Sequence, residues 1–342
     1  MSTVAEIVDD VRRRGDAALR EWSLTLDGAE PARAVAGGEL PRDELLALAD
    51  RVRRWHALQR PADVRLEVEP GVELERRWVP LASVGVYVPR GLVSTLVMCA
   101  VPAQVAGVER IAVMTPPGGA DLVAAAARVL GVDEVWAVGG AQAIAALAYG
   151  TERIAAVDKI VGPGNAYVNE AKLLVSRDVA IDLPAGPSEV IVVLGRGGDR
   201  AVAEREVAAQ AEHGEGTVCR IVEGDDLEAA LAEVERAAPE HLVLLGEAET
   251  LASRVRNAGA VFVGETSPVA TGDYATGGNH VLPTGGRARS TGGLGLEAFL
   301  KPVTVQRLTR DGLEVVRPVV EALADVEGMP AHAAAVRRDE DH

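Results

Sequence analysis

Four of the six histidines in this 342-residue chain stand in polar or acidic surroundings, and they mark where chemistry could be done. Gln210 and His213 close a helix predicted from Asp199, and their spacing of three puts both side chains on one face, as metal ligands on a helix often are. A histidine also sits well at the negative end of a helix dipole, so the pair alone allows both readings. Glu240 and His241 follow Pro239 at the start of a predicted strand, where α/β sheets commonly present catalytic groups; a His beside a Glu is also ordinary. Asp273 and His280 lie in a glycine-rich stretch where core packing does not require them, and His332 follows Glu327-Gly328 near the end of the chain. His56, beside Trp55 in a helix, and the terminal His342 need no function. Gln, His, Asp and His together would offer nitrogen and oxygen donors without thiolate, suited to zinc and expandable beyond four ligands.

Such side chains need a scaffold, and the composition indicates which. Apolar residues make up 48% and aromatics only 3%, so the core must be built from small aliphatic side chains packed closely, as in helix-on-sheet layers. The length points to two main lobes. The net charge of −16, with no long run of Lys and Arg, argues against nucleic acid as a partner. Cys99 and Cys219 are the only cysteines, which excludes a disulfide framework and suggests a reducing, cytoplasmic setting. No apolar run approaches the ~20 residues of a membrane span. Thr3 and Glu6 have capping-box spacing ahead of Val4, Ile7 and Val11, so the start reads as an amphipathic helix and not a signal peptide.

The first 75 residues read as helical. From about Ser83, β-branched runs alternate with Ala-rich stretches: 84–88, 110–115, 134–138, 157–161, 189–194, 217–222, 241–245 and 259–264. This is the pattern of βαβ units, and the predicted fold class is α/β, with two Rossmann-like lobes built on parallel sheets and helical segments at both ends. Gly195 to Asp199 is the candidate hinge. Eight glycines fall between Gly272 and Gly295, either a mobile loop or one lining a site. The tail from Arg310 reads as one or two helices.

No GxGxxG fingerprint, P-loop, GxSxG elbow or HExxH motif is present. Gly162-Pro163-Gly164-Asn165 opens a helix after a strand and could receive a phosphate on its amides, although Pro163 removes one donor.

Several longer segments carry a resemblance: Gly85 to Pro89, Ser94-Thr95, Gly139 to Gly150, Asp158 to Asn165, Ala185 to Glu189, Ala209 to His213, Ala238 to Leu242, Gly272 to Thr284 and Glu327 to His332. In these, running from about Val11 to His332, the chain resembles the histidinol dehydrogenase family, which oxidises L-histidinol through the aldehyde to L-histidine with two NAD and a zinc ion. The resemblance implies Gln210, His213, Asp273 and His332 as zinc ligands, His332 coming from the partner subunit of a homodimer with shared active sites. It implies His241 as the base that deprotonates the alcohol and Glu240 as the group that activates water for the second oxidation. Ser94, Ser188, His280 and Glu327 would touch substrate, and Tyr87, Gln142 and Asn165 would lie near NAD, which the family binds without the usual glycine fingerprint.

The domains implied are a helical N-terminal segment (1–78), a first α/β lobe on the NAD side (79–195), a second lobe with the glycine-rich site loop (196–300) and a helical tail crossing to the partner (301–342). Two features depart from the family pattern. The loop after Pro89 is short, with Arg90 in place of a glycine, and the interval from His213 to Glu240 lacks about one βα unit. An NAD-dependent relative acting on a different small polar alcohol is therefore the alternative, and a non-catalytic zinc-binding homologue is disfavoured by the presence of both Glu240 and His241.

Overall fold

The computed structural model describes residues 2–337 apart from Ala185, His213 and Glu215. The chain forms two compact units, one of residues 1–60 and 81–299, the other of 61–80 and 300–342. It begins with α1 (Val4–Arg14), α2 (Asp16–Leu26), β1 (Ala32–Arg33) and α3 (Arg42–Ala57). Thr3 Oγ1 accepts the Glu6 N–H at 3.2 Å while the Glu6 carboxylate takes the Thr3 N–H at 2.8 Å, the capping box expected from their spacing.

Next come β2 (Val64–Glu69) and β3 (Val72–Pro80), then the alternating series β4 (Ser83–Tyr87), α4 (Val93–Ala106), β5 (Arg110–Thr115), α5 (Ala120–Val129), β6 (Glu134–Ala137), α6 (Gly140–Tyr149), β7 (Lys159–Val161), α7 (Ala166–Val175) and β8 (Ala180–Ile181). These give a six-stranded sheet in the order β1-β6-β5-β4-β7-β8, parallel except for β1. From β4 the chain moves outward one way through β5 and β6, then returns to the other side through β7 and β8. This doubly wound order leaves a switch point at the carboxyl ends of β4 and β7, where such sheets hold ligands. Val84, Val86, Ala112, Val113 and Ile160 are fully buried, as expected for strands covered by helices on both faces.

A second sheet is built by β9 (Glu189–Leu194), α8 (Arg200–Ala211), β10 (Val218–Glu223), α9 (Leu227–Ala237), β11 (His241–Leu245) and β12 (Ala260–Val263). Its order is β10-β9-β11-β12, and all four strands are parallel. After it come α10 (Val269–Tyr274), β13 (Leu300–Leu308), α11 (Arg310–Val326) and α12 (Pro330–Ala335). The fold class is thus α/β with two parallel-sheet lobes.

Two sequence expectations need correction. Residues 64–69 and 72–80 are strands rather than helix, and with 300–308 they make an antiparallel sheet in the order β13-β3-β2. Their Arg and Glu residues disguise the alternation: Arg65, Glu67, Arg76 and Arg307 take polar positions in strands little covered by other structure. The glycines at 195–199 join β9 to α8 inside the second sheet, so they are not a hinge between lobes; β9 belongs wholly to the second sheet. Among the described residues no helix is long and apolar enough to cross a membrane.

The glycine-rich stretch is pinned at several points. Asn279 Nδ2 donates to the Met98 carbonyl at 2.7 Å, the Leu296 N–H reaches Gln59 Oε1 at 3.0 Å, and buried His56 contacts the Leu294 carbonyl through Nε2 at 3.4 Å. Helices α3 and α4 thereby fix it, and of the two readings left open by its composition the site-lining one agrees with this anchoring.

Candidate active site

The amino ends of β9 and β11 lie side by side, with His241 in register with Val190. The main chain of Glu189 holds both candidate catalytic side chains. Its N–H donates to Glu240 Oε2 at 2.9 Å, and its carbonyl meets His241 Nδ1 at 3.1 Å. A carbonyl can only accept, so Nδ1 carries the proton and the basic lone pair resides on Nε2. Nδ1 lies 3.6 Å from Glu240 Oε2, and both side chains are buried. Burial, with the negative charges of Glu189 and Asp273 adding to it, pushes the Glu240 carboxyl up to about 8, against the opposing effect of the Glu189 N–H bond. Glu189 also accepts the Gly285 N–H on Oε1 at 3.1 Å, which holds the glycine-rich stretch beside the pair. Sequence reasoning passed over Glu189 because much of its contribution is made by main-chain atoms.

The candidate catalytic pair sits at the amino ends of these strands, whereas α/β sheets usually hold ligands at the carboxyl ends. In the second sheet that usual place is filled by main chain: the Gly195 N–H bonds the Leu245 carbonyl at 2.9 Å, and the Gly224 N–H bonds the Leu194 carbonyl at 2.8 Å. Gly246, at φ +62°, packs so closely that a Cβ there would lie 2.4 Å from the Gly198 nitrogen.

Gln210 is buried in the last turn of α8. Asp273 lies in α10, whose first N–H, from Val269, donates to Glu206 Oε2 at 2.9 Å. Glu206 is itself buried one helical turn before Gln210, so this bond links the two helices that carry these residues. The Asp273 carbonyl meets His280 Nδ1 at 3.1 Å, and Thr95 Oγ1 lies 3.4 Å from His280 Nε2. His280 thus braces the segment that carries Asp273. His213 lies outside the described residues, and His332, exposed on α12, and Glu327, at the end of α11, belong to the other compact unit. Among the described residues no three His, Cys, Asp or Glu side chains converge as a metal site. The donors of Gln210, His213, Asp273 and His332, an amide oxygen, two imidazoles and a carboxylate, fit zinc by their chemistry.

Ser188 immediately precedes Glu189 and is half-buried. Ser94, in the first turn of α4, borders a cavity of about 260 Å³ that is also lined by Leu40, Leu48, Leu92 and Tyr274.

The three candidate NAD residues border the switch point of the first sheet. Tyr87 ends β4, and its hydroxyl accepts the Gly140 N–H at 3.2 Å; burial pushes this phenol up to about 12. Gln142 Nε2 donates to Asp27 Oδ2 at 3.1 Å, and the same oxygen accepts the Gly139 N–H at 2.9 Å. Asp27 and Tyr87 therefore occupy the first amides of α6, the place where a glycine fingerprint would hold phosphates. Gln142 Oε1 is buried and, among the described residues, has no hydrogen-bond partner, an acceptor left for a ligand donor. Asn165 caps α7 from its exposed position, accepting the Val168 N–H at 3.1 Å. This arrangement fits a dinucleotide at the first-sheet crevice. Asp27 was invisible to sequence reasoning, since it lies more than a hundred residues from the glycines it holds.

A doubly wound sheet with its switch point, joined to a lobe that carries a buried carboxylate and imidazole, has the parts of an α/β dehydrogenase. The family model for histidinol dehydrogenase matches residues 1–224 and 217–339. A histidinol dehydrogenase of Methanosarcina barkeri is 39% identical over 393 residues, covering 98% of this chain and 90% of its own length, and that of Cereibacter sphaeroides is 42% identical over 394, covering 98% and 91%. The crystal structure of the histidinol dehydrogenase from Elizabethkingia anophelis superimposes with a TM-score of 0.87 at 31% identity, covering 97% of this chain and 90% of that one. The chain belongs to the histidinol dehydrogenase family and is an NAD-dependent oxidoreductase.

The family match breaks into two pieces at 217–224, and the Methanosarcina alignment is longer than this chain, so relatives carry internal residues that are missing here. That agrees with the short interval expected between His213 and Glu240, where α8 passes to β10 in six residues.

Proposed function

We propose that this chain oxidises L-histidinol to L-histidine in two NAD-linked steps, in the cytoplasm, as a zinc-dependent homodimer. The observation that carries the reading is the pairing of Glu240 and His241 on the N–H and the carbonyl of Glu189, at the edge of the lobe that holds Gln210 and Asp273. Gln210, His213 and Asp273 of one subunit and His332 of its partner would hold the zinc. When bound, NAD accepts hydride, and zinc anchors the imidazole and amine of the substrate.

The residues divide the work as follows. His241 Nε2 takes the hydroxyl proton as the carbinol carbon loses hydride, which yields the aldehyde; Nδ1, held by the Glu189 carbonyl, steadies the ring as it becomes charged. Glu240, in its carboxylate form, takes a proton from the water that adds to the aldehyde. The hydrate then loses a second hydride and a proton to give the acid. Ser94, Ser188, His280 and Glu327 would orient the substrate, and Tyr87, Gln142 and Asn165 would line the dinucleotide crevice.

The second compact unit supports the dimer. Helix α11 exposes Val315, Val319, Leu323 and Val326 along one side, and β2 exposes Val64, Leu66 and Val68 at alternate positions. Contiguous exposed apolar rows of this kind mark interfaces, and a second copy supplies a matching surface.

The direct test is NADH formation by purified, zinc-loaded protein with L-histidinol beside a panel of amino alcohols and diols. Two NADH per histidinol supports the reading, and preference for another alcohol overturns the substrate assignment. Action on a different small polar alcohol is the second reading, favoured by the short loop after Pro89, with Arg90 in place of a glycine.

A further inference from the structure

We infer that Lys172 and Asp182, a buried ion pair outside the residues assigned above, act as the positioning pair of the dinucleotide crevice. The inference rests on the reading that NAD occupies the switch point of the first sheet. Lys172 lies in α7 with no exposure, and the Asp182 side chain is 3% exposed. The ammonium donates to the Gly162 carbonyl at 2.9 Å, to the Leu183 carbonyl at 3.2 Å and to Asp182 Oδ1, which uses all three of its hydrogens. The other carboxylate oxygen of Asp182 accepts the Gly162 N–H at 2.7 Å. Both polar main-chain groups of Gly162 are therefore held by one ion pair.

Gly162 is the first residue of the loop that runs through Pro163 and Gly164 to Asn165 at the start of α7. It follows β7 directly, at φ +108°, and approaches the end of β4 so closely that a Cβ would stand 2.2 Å from the Tyr87 carbonyl oxygen. The clamped residue thus touches the strand that ends in Tyr87 and begins the loop that ends in Asn165, two of the residues assigned to NAD. Through Leu183 the same ammonium holds the chain that leaves the first sheet for β9. Well-packed apolar side chains could fill this volume with little loss of stability. They could not bond both the N–H and the carbonyl of Gly162. What the pair supplies, then, is the setting of the crevice wall, and a dinucleotide meeting an unfixed wall would bind more weakly.

The test uses full-length zinc-loaded protein and NADH as the probe, with binding followed by fluorescence. Lys172→Met/Asp182→Asn leaves no uncompensated charge and retains an acceptor for the Gly162 N–H. It should keep the zinc content and circular dichroism of the wild type, while the Kd for NADH and the KM for NAD rise about tenfold or more and kcat changes by less than about threefold. Asp182→Asn alone, measured in parallel, should weaken NADH to an intermediate degree; it provides the reading if the double variant does not fold. Asn165→Asp, which puts a negative charge at the crevice, controls for the site of binding. If wild type binds no NADH, or Asn165→Asp binds it as wild type does, the crevice reading falls and takes the inference with it. If Asn165→Asp binds weakly while the folded Lys172 and Asp182 variants keep wild-type affinity, only the role of the pair is overturned.

Discussion

Glu206 reaches from α8 to the first peptide of α10, where its carboxylate accepts the Val269 N–H at 2.9 Å. Gln210 follows Glu206 by one turn on its helix and Asp273 follows Val269 by one turn on the other, so the bond sets the separation of two proposed zinc ligands. Replacing Glu206 with Ala should cost ~0.5–2 kcal/mol, as loss of a helix cap does, and should lower zinc retention during dialysis against a chelator. Glu206→Gln keeps an acceptor oxygen and should retain most of both. Equal zinc retention in wild type and Glu206→Ala would remove the positioning role.

The Glu240 carboxyl supplies a pH dependence of stability. Its value of about 8 in the folded, metal-free protein lies far above the ~4.3 of an exposed glutamate, so between these limits the folded state holds a proton that the unfolded state has released. Stability contributed by this group is complete below pH ~4.3 and is lost as pH rises through about 8. Urea unfolding of metal-free wild type should lose on the order of 2–4 kcal/mol from this group between pH 5 and 9, and Glu240→Gln should escape that part of the decline. Parallel pH profiles for the two proteins would contradict the raised value.

The two oxidations should separate by mutation. His241→Asn should slow oxidation of the alcohol by ~10²–10⁴-fold, the usual worth of general-base help. Glu240→Gln should chiefly slow oxidation of the aldehyde supplied directly, because only that step consumes water. In wild type the aldehyde step should climb with pH as the Glu240 carboxylate forms. Equal damage to both steps by Glu240→Gln would leave it an orienting partner of His241 and withdraw its part in activating water.

The proposed sharing of active sites between subunits predicts complementation. His332→Ala and His241→Ala homodimers should each be inactive, and subunit exchange between them should restore activity, since one site of each hybrid has every ligand and the base. Absence of recovery after exchange proven by differently tagged subunits would place His332 in the site of its own chain.

Much of the scaffold was legible in the sequence because its causes are local. The Thr3 and Glu6 spacing specifies a cap, and the runs at 84–88, 110–115 and 189–194 can hardly be anything but buried strands. The candidate catalytic pair was legible through its side chains. Asp27, Glu206 and the main chain of Glu189 were not, since their partners are backbone N–H groups, and one peptide looks like another in a sequence. The charged strands β2 and β3 were missed for the opposite reason. Alternation at Val64, Leu66 and Val68 was present, but exposed strands carry too few apolar residues to stand out against the helical pattern around them.

The pairing of β3 with β13 carries a consequence for biosynthesis. Arg307 hydrogen-bonds Glu73 across 234 residues of chain, whereas β9, β10 and β11 lie next to their neighbours in sequence. Local contacts close quickly and distant ones wait for the chain to arrive. On the ribosome, both parallel sheets can therefore assemble while β2 and β3 remain an unfinished hairpin, and the antiparallel sheet closes only after residue 308 has emerged. A nascent chain stalled before that point would hold its proposed catalytic pair and dinucleotide crevice without the unit that bears His332. Premature termination between residues 300 and 308 should thus yield folded but unassembled subunits.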